Sequence, residues 1–311
     1  MAGAARRQLA DGRWHFQHGP IDCIVSADGD AAVVTRCTDR AWGRFEGVLE
    51  ELIAELPLLR ADLSAPGAAT LRPRGRVAAR MTAACRPYGD DGTFITAMAA
   101  VAGSVAEELI AFFDVAGIER ASVNNGGDIA LRLAEGQAYS VGLCTAPADA
   151  LAGRSLAGRF EVDAASPVRG VATSGWRGRS FSLGIADSVT VLARSASAAD
   201  AAATIIGNAV DVDSPGILRR RACEVRDDSD LGDRRVTCAV PRLPAQAVAE
   251  ALAAGAAVAE REVGAGRIVA AALSLQGRFH LVESWATGVA GPGVRARDQA
   301  ERHGSRGMIG S

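Results

Sequence analysis

Apolar and polar positions along the chain change period several times, and each change marks an element boundary. Residues 13–37 read as a hairpin: Trp14–His18, a Gly19-Pro20 turn, residues 21–25, then Asp28-Gly29-Asp30 and residues 31–35. Trp42, Phe45, Val48, Leu49, Leu52 and Ile53 then recur at helical spacing until Pro57. Residues 61–76 hold Pro66, Gly67, Pro73 and Gly75 among arginines, which predicts a plain connection or a lid. Residues 96–113 predict a helix with Thr96 as its N-cap. Its start, residues 97–103, is nearly all small side chains, so close packing on a neighbour is expected.

Strands are predicted at residues 118–123 and 129–133, on either side of Asn124-Asn125-Gly126-Gly127-Asp128, and at 138–143, 155–162, 168–173 and 188–193. Helices are predicted at 198–210 and 245–262, and a closing hairpin joins 268–275 to 279–282 across Gln276-Gly277. This irregular alternation predicts an α+β fold with mixed sheets and packed helices, not a doubly wound sheet. Residues 1–285 read as a single globular domain, and residues 286–311, rich in Gly and Arg with few apolar positions, as a flexible tail.

Three polar constellations lie on these elements. Gly126 and Gly127 can take positive φ and let a ligand approach, while Asn124 and Asp128 offer hydrogen bonds to a ribose, a ribityl chain or a ring edge. A hairpin turn explains the same residues without a ligand. Thr173, Ser174 and Gly175 end a strand and can donate to phosphate oxygens, or form an ordinary turn. Asp200 and Thr204 stand at i and i+4, which puts a carboxylate and a hydroxyl on one helix face. Two such hard oxygen ligands can seat Mg²⁺ beside a diphosphate, although an Asp near a helix start also complements the dipole.

The ordered set of Asn124 to Asp128, Ala172-Thr173-Ser174-Gly175, Ser188-Val189-Thr190-Val191 and Ala199 to Thr204 resembles the FAD:protein FMN transferase (ApbE) superfamily, over roughly residues 75–285. The flanking Ala186-Asp187 and Asp228 to Asp233 resemble a soluble ApbE-like bacterial branch. The resemblance implies an ApbE-like fold, FAD as ligand, and Mg²⁺ held by Asp200, Thr204 and a backbone carbonyl near Ala99. It implies nucleotide contacts from Asn124, Gly126, Gly127, Asp128, Thr173, Ser174 and Gly175. It also implies a protein acceptor whose Ser or Thr receives FMN. Two departures stand against transfer. Ala102 occupies the place of the family's lysine, and residues 178–182 lack its histidine and Asp-Pro pair. Arg179 falls near that histidine's place; it can hold a phosphate or carboxylate but cannot act as a base at neutral pH. Asp187, just before Ser188, can serve as acid or ligand, or cap its strand.

Composition narrows the chemistry further. Lysine is absent, so Schiff-base catalysis, lysine-anchored pyridoxal phosphate and a lysine P-loop are excluded. A net charge of −2 gives no long-range attraction to nucleic acid or an anionic membrane, and neither is expected as a partner. The six cysteines are scattered without a C-x-x-C pair, which predicts free thiols in place of zinc, iron–sulfur or disulfide chemistry. No apolar run follows Arg6-Arg7 and none is long enough to span a bilayer, so a cytoplasmic protein is expected. The acidic run Asp227-Asp228-Ser229-Asp230 places Gly232 as an EF-hand would, but Leu231 and Cys238 occupy ligand positions, which favours a solvated turn.

Two functions follow as expectations. One is a cytoplasmic flavin nucleotide-binding protein, with Mg²⁺-dependent FMN transfer from FAD as its reaction. The alternative is a catabolic enzyme or reductase subunit acting on a small anionic N-heterocycle, with Arg177 and Arg179 holding the acid. A non-catalytic scaffold that keeps the fold is the third class.

Overall fold

The computed structural model describes residues 3–143, 158–284 and 294–297. Its strands are β1 (Ala5–Gln8), β2 (Trp14–His18), β3 (Ile21–Gly29), β4 (Ile118–Asn125), β5 (Asp128–Leu133), β6 (Ala138–Leu143), β7 (Gly158–Asp163), β8 (Gly170–Ser174), β9 (Ser188–Ala193), β10 (Leu218–Arg221), β11 (Arg235–Ala239), β12 (Ala270–Leu275), β13 (Arg278–Glu283) and β14 (Val294–Arg297). Nine of them form one antiparallel sheet in the order β1-β2-β3-β4-β5-β8-β9-β12-β13, and β14-β7-β6 form a second. The helices are α1 (Ala31–Phe45), α2 (Val48–Ala54), α3 (Leu56–Leu59), α4 (Arg76–Asp90), α5 (Val101–Ile110), α6 (Ala196–Ala209), α7 (Ala222–Val225) and α8 (Ala245–Gly264). Strands and helices that do not alternate as βαβ units, with antiparallel pairing throughout, make this α+β, as the sequence predicts.

Strand alternation sorts the core into layers. Ala121, Val123, Ala130, Ala172, Val189 and Val191 face the helices. Leu131, Leu133, Val171 and Leu192 face the other way, against Phe160 and Val162 of the small sheet. The helix layer has two halves. Phe16, Phe45, Met81, Leu109 and Phe113 fill the first, under α1, α4 and α5. Ile206, Val210, Leu252 and Leu273 fill the second, under α6 and α8. The halves meet at β5 and β8, which share only the pairs Ile129↔Val171 and Ala130↔Gly170.

Small residues let the backbones at this seam approach. A Cβ on Gly103 of α5 would lie 2.3 Å from the Ala196 carbonyl oxygen, and one on Gly170 of β8 would lie 2.2 Å from the Ser195 carbonyl. The close packing expected of residues 97–103 is realised, as a 3₁₀ turn at Ala97–Ala100 leading into α5.

Three local expectations are corrected. Residues 31–35 are the start of α1, not a strand: the Asp30 carboxylate accepts from the Val33 N–H at 2.9 Å, and Cys37, Ala41 and Phe45 then face inward at helical spacing. Capping and burial outweigh the strand preference of Val33, Val34 and Thr35. Thr96 does not cap with its side chain; its hydroxyl donates to Asp230 at 2.5 Å. Helix α4 was not anticipated, because Pro87 lies inside it and small residues make up much of its buried face. The expected tail, residues 286–311, lies outside the described residues except for Val294–Arg297, which pair with β7.

Candidate functional site

The seam between β5 and β8 is also where the sheet parts. Beyond Ile129↔Val171 the backbone ladder stops, and the Asp128 carboxylate takes the next rung, accepting from the Thr173 N–H at 3.1 Å. Asp128 shares a face with Ala130, so its carboxyl lies under the helix layer and only 9% of the residue is exposed. Burial pushes this carboxyl up to about 7, and the Thr173 N–H lowers it only partly.

Asp200 comes to the same place from α6. Its carboxylate accepts from the Gly103 N–H at 2.9 Å and also from that of Ala102, so it caps the first turn of α5 from a neighbouring helix. Its carboxyl is held well above the usual range, first by burial and then by the charge of Asp128. A buried carboxyl and a half-buried one therefore lie close together, and neither forms an ion pair with an arginine or histidine among the described residues. Thr204 follows Asp200 by one helical turn and Gly207 follows by nearly two, forming a single stripe; Ser174 Oγ lies 3.6 Å from a Cβ built on Gly207. Ala99 sits in the 3₁₀ turn that packs on α6, its N–H bonded to the Thr96 carbonyl.

The Gly126-Gly127 turn stands at this end of the sheet, with φ of +68° and +116°. Asn124 accepts from the Gly127 N–H at 2.8 Å, and alternation turns it away from the helix layer, so it holds the turn together. The inward residue is Asn125, which sequence reading passed over. Its Nδ2 donates to the Ala102 carbonyl at 3.2 Å and its Oδ1 accepts from the Asp22 N–H at 3.3 Å. Counting by two from buried Val123 would have found it. Gly103 was missed as well, because its contact with Asp200 spans ninety-seven residues.

The remaining predicted residues divide. Thr173 contributes its N–H to the site, while its hydroxyl pairs with Thr190 on the opposite face at 2.9 Å. Gly175 lies against the chain at Asp187, whose carbonyl oxygen would be 2.5 Å from a Cβ there. Asp187 binds the Trp176 indole N–H at 3.3 Å, Arg177 at 3.2 Å and the Gln276 N–H at 2.6 Å, so it fastens the β8–β9 connection to the β12–β13 turn. Arg179 crosses from that connection to the Pro20 carbonyl at 3.1 Å and lies over Gly126. A groove of about 590 Å³ lies at the other end of β3, lined by Arg13, Trp14, Asp28 and Thr38; it contains none of these residues.

Among the described residues no three His, Cys, Asp or Glu side chains gather as a metal cluster, and no helix is long and apolar enough to cross a membrane. Any cation at the seam would rest on two carboxylates, a hydroxyl and backbone oxygens. That donor set suits Mg²⁺, which takes few protein ligands and keeps several waters.

A sequence profile of the family described as AbpE bacteria matches residues 6–281. The chain is 39% identical over 160 residues to the UPF0280 protein MK0206 of Methanopyrus kandleri, a match that covers 51% of this chain and 59% of that one. Among solved structures, it is similar to the ApbE protein of Thermotoga maritima at 14% identity, with 91% and 98% of the two chains covered and a TM-score of 0.41. The flavinyl transferase ApbE of Pseudomonas stutzeri gives 15% identity, 93% and 98% coverage and a TM-score of 0.37.

Proposed function

Since the chain belongs to the AbpE bacteria family, we propose that it binds a flavin nucleotide, FAD first, where the sheet parts between β5 and β8, with Mg²⁺ beside it. Asp200, Thr204 and a carbonyl near Ala99 would hold the cation, with Asp128 across from them. The observation that carries this reading is the Asp128–Asp200 pair. A buried carboxyl beside a half-buried one, without a cationic partner, costs stability, and a divalent ion is the simplest group that restores the balance.

The residues divide the work. Nothing lies within 4 Å of a Cβ built on Gly127, so a ligand can reach the turn there, while the Arg179 guanidinium lies over Gly126. Asn125 and Asp200 fix the start of α5, from opposite sides, against the turn and α6. Mg²⁺, when bound, would neutralise diphosphate charge and polarise the phosphorus for attack. In the transfer reaction a Ser or Thr hydroxyl of the acceptor protein bonds to the FMN phosphorus, the P–O bond to AMP breaks, and the hydroxyl proton leaves to solvent.

A second reading is favoured by Ala102 and by residues 178–182, which lack the lysine and histidine of the transferases. It makes the protein a catabolic enzyme or reductase subunit that takes a small anionic N-heterocycle. Thermal shift with FAD, FMN, ADP and a pyridine carboxylate, each with and without Mg²⁺, separates the two. Binding at a hundredfold excess over the dissociation constant stabilises by about 2.7 kcal/mol. A Mg²⁺-dependent FAD shift that disappears in Asp200→Ala upholds the flavin reading. A shift with a pyridine carboxylate and none with any flavin upholds the second. FAD binding without an FMN-labelled acceptor peptide would leave binding alone as the function.

A further inference from the structure

Three chain segments meet at the open end of the parted sheet: the Gly19-Pro20 turn of β2–β3, the Gly126-Gly127 turn of β4–β5, and the connection from β8 to β9. Arg179 links all three. Starting in the β8–β9 connection, it passes over Gly126, where a Cβ would lie 2.8 Å from its Nη1, and its Nη2 donates to the Pro20 carbonyl at 3.1 Å. Gly126 is thus required twice, by its φ of +68° and by the guanidinium above it.

Arg177 and Arg179, two residues apart, are held differently. Arg177 is paired with Asp187 and lies over the Trp176 ring at 5.0 Å. Arg179 forms no ion pair with a carboxylate among the described residues; its one hydrogen bond goes to the Pro20 carbonyl. One edge of its fork is anchored by Pro20, and the other faces the turn that adjoins Asp128. A guanidinium fixed on one side and unpaired on the other is arranged to receive an oxyanion.

We propose that Arg179, seated over the Gly126-Gly127 turn, forms an oxyanion subsite that selects ligands carrying a phosphate or carboxylate. The proposal rests on the seam being the ligand site, as in the function proposed above. It deepens that reading, because it makes the anionic group, and not only the ring, a condition of binding. Arg179 would be a specificity residue and no base. Phosphate and ring carboxylate present the same chemistry to the fork, and the test separates them.

The test is calorimetric titration of riboflavin, FMN and nicotinate into wild type, Arg179→Gln and Arg179→Lys, with Mg²⁺ present. Arg179 is exposed, so Arg179→Gln should melt at the wild-type temperature, which checks folding. Loss of one charge-assisted contact should weaken FMN by roughly tenfold and leave riboflavin unchanged, with partial recovery in Arg179→Lys. Unchanged FMN affinity, or equal losses for FMN and riboflavin, would overturn the subsite while sparing the flavin reading. If wild type binds no flavin, that reading fails by itself and nicotinate decides: binding lost in Arg179→Gln upholds the subsite, and binding unchanged or absent overturns it.

Discussion

Replacing Asp128 by Asn should stabilise the metal-free protein, and by an amount that depends on pH. The asparagine Oδ1 can still accept from the Thr173 N–H, so the rung that joins β5 to β8 survives. What disappears is a buried negative charge beside Asp200. The native Asp128 carboxyl titrates at about 7, against 3.8 unfolded. Between those values the native state binds more protons than the unfolded chain, so wild-type stability falls as pH rises. The penalty is absent below about pH 4 and complete above about pH 7, where it amounts to about 4 kcal/mol at most. For a chain of this size that is about 8 °C in melting temperature. Thermal denaturation in chelator from pH 4 to 8 would therefore show Asp128→Asn gaining on wild type as pH rises. A difference that does not vary with pH, or a variant less stable at pH 8, would refute the reasoning.

Other changes act on the parts that position this pair. Gly103→Ala sets a Cβ 2.3 Å from the Ala196 carbonyl and 2.9 Å from Asp200 Cβ, and should cost about 1–3 kcal/mol in denaturant titration. Asn125→Ala leaves the Asp22 N–H and the Ala102 carbonyl without their side-chain partner and should cost about 1–3 kcal/mol, with weaker FAD binding measured alongside. Glu108 is buried between Arg44 and Arg80; burial opposes its charge, but those two hydrogen bonds hold its carboxyl below the usual range. Its contribution is present above the unfolded value of 4.5 and is lost as pH falls through the lower native one. Glu108→Ala should cost about 1–3 kcal/mol at pH 7, since Arg44 and Arg80 each lose one carboxylate and keep another in Glu51 and Glu107, and acid melting curves should show the difference narrowing.

What the sequence made legible was mostly local. Residues 138–143 and 188–193 are short runs rich in apolar and β-branched side chains, and both strands have the expected bounds. Asp200 and Thr204 were visible as a pair because helix geometry puts i and i+4 together whatever the surroundings. The turn at Gly126-Gly127 announced itself through residue type. The errors came where tertiary structure decides. Residues 31–35 carry strand-forming side chains, yet Asp30 and the inward stripe of Cys37, Ala41 and Phe45 make a helix. Asn124 was chosen over Asn125 because the motif was read as a string and not as a strand with two faces. Nothing local could announce that Asp128 and Asp200 meet, or that Gly103 lies between α5 and α6. Those contacts exist because the sheet places β8 beside β5.

The claim that this seam holds a divalent cation is tested most directly by titrating Mg²⁺ into the chelator-stripped protein by calorimetry, at pH 6.5, in two buffers of different ionisation heat. Asp128, held up to about 7, and Asp200, held well above the usual range, must release protons when a cation binds, so the measured heat should differ between buffers. The buffer dependence should shrink in Asp128→Asn, and binding itself should be lost in Asp200→Ala. Absence of Mg²⁺ binding at millimolar concentration, or binding that neither substitution changes, would contradict the account.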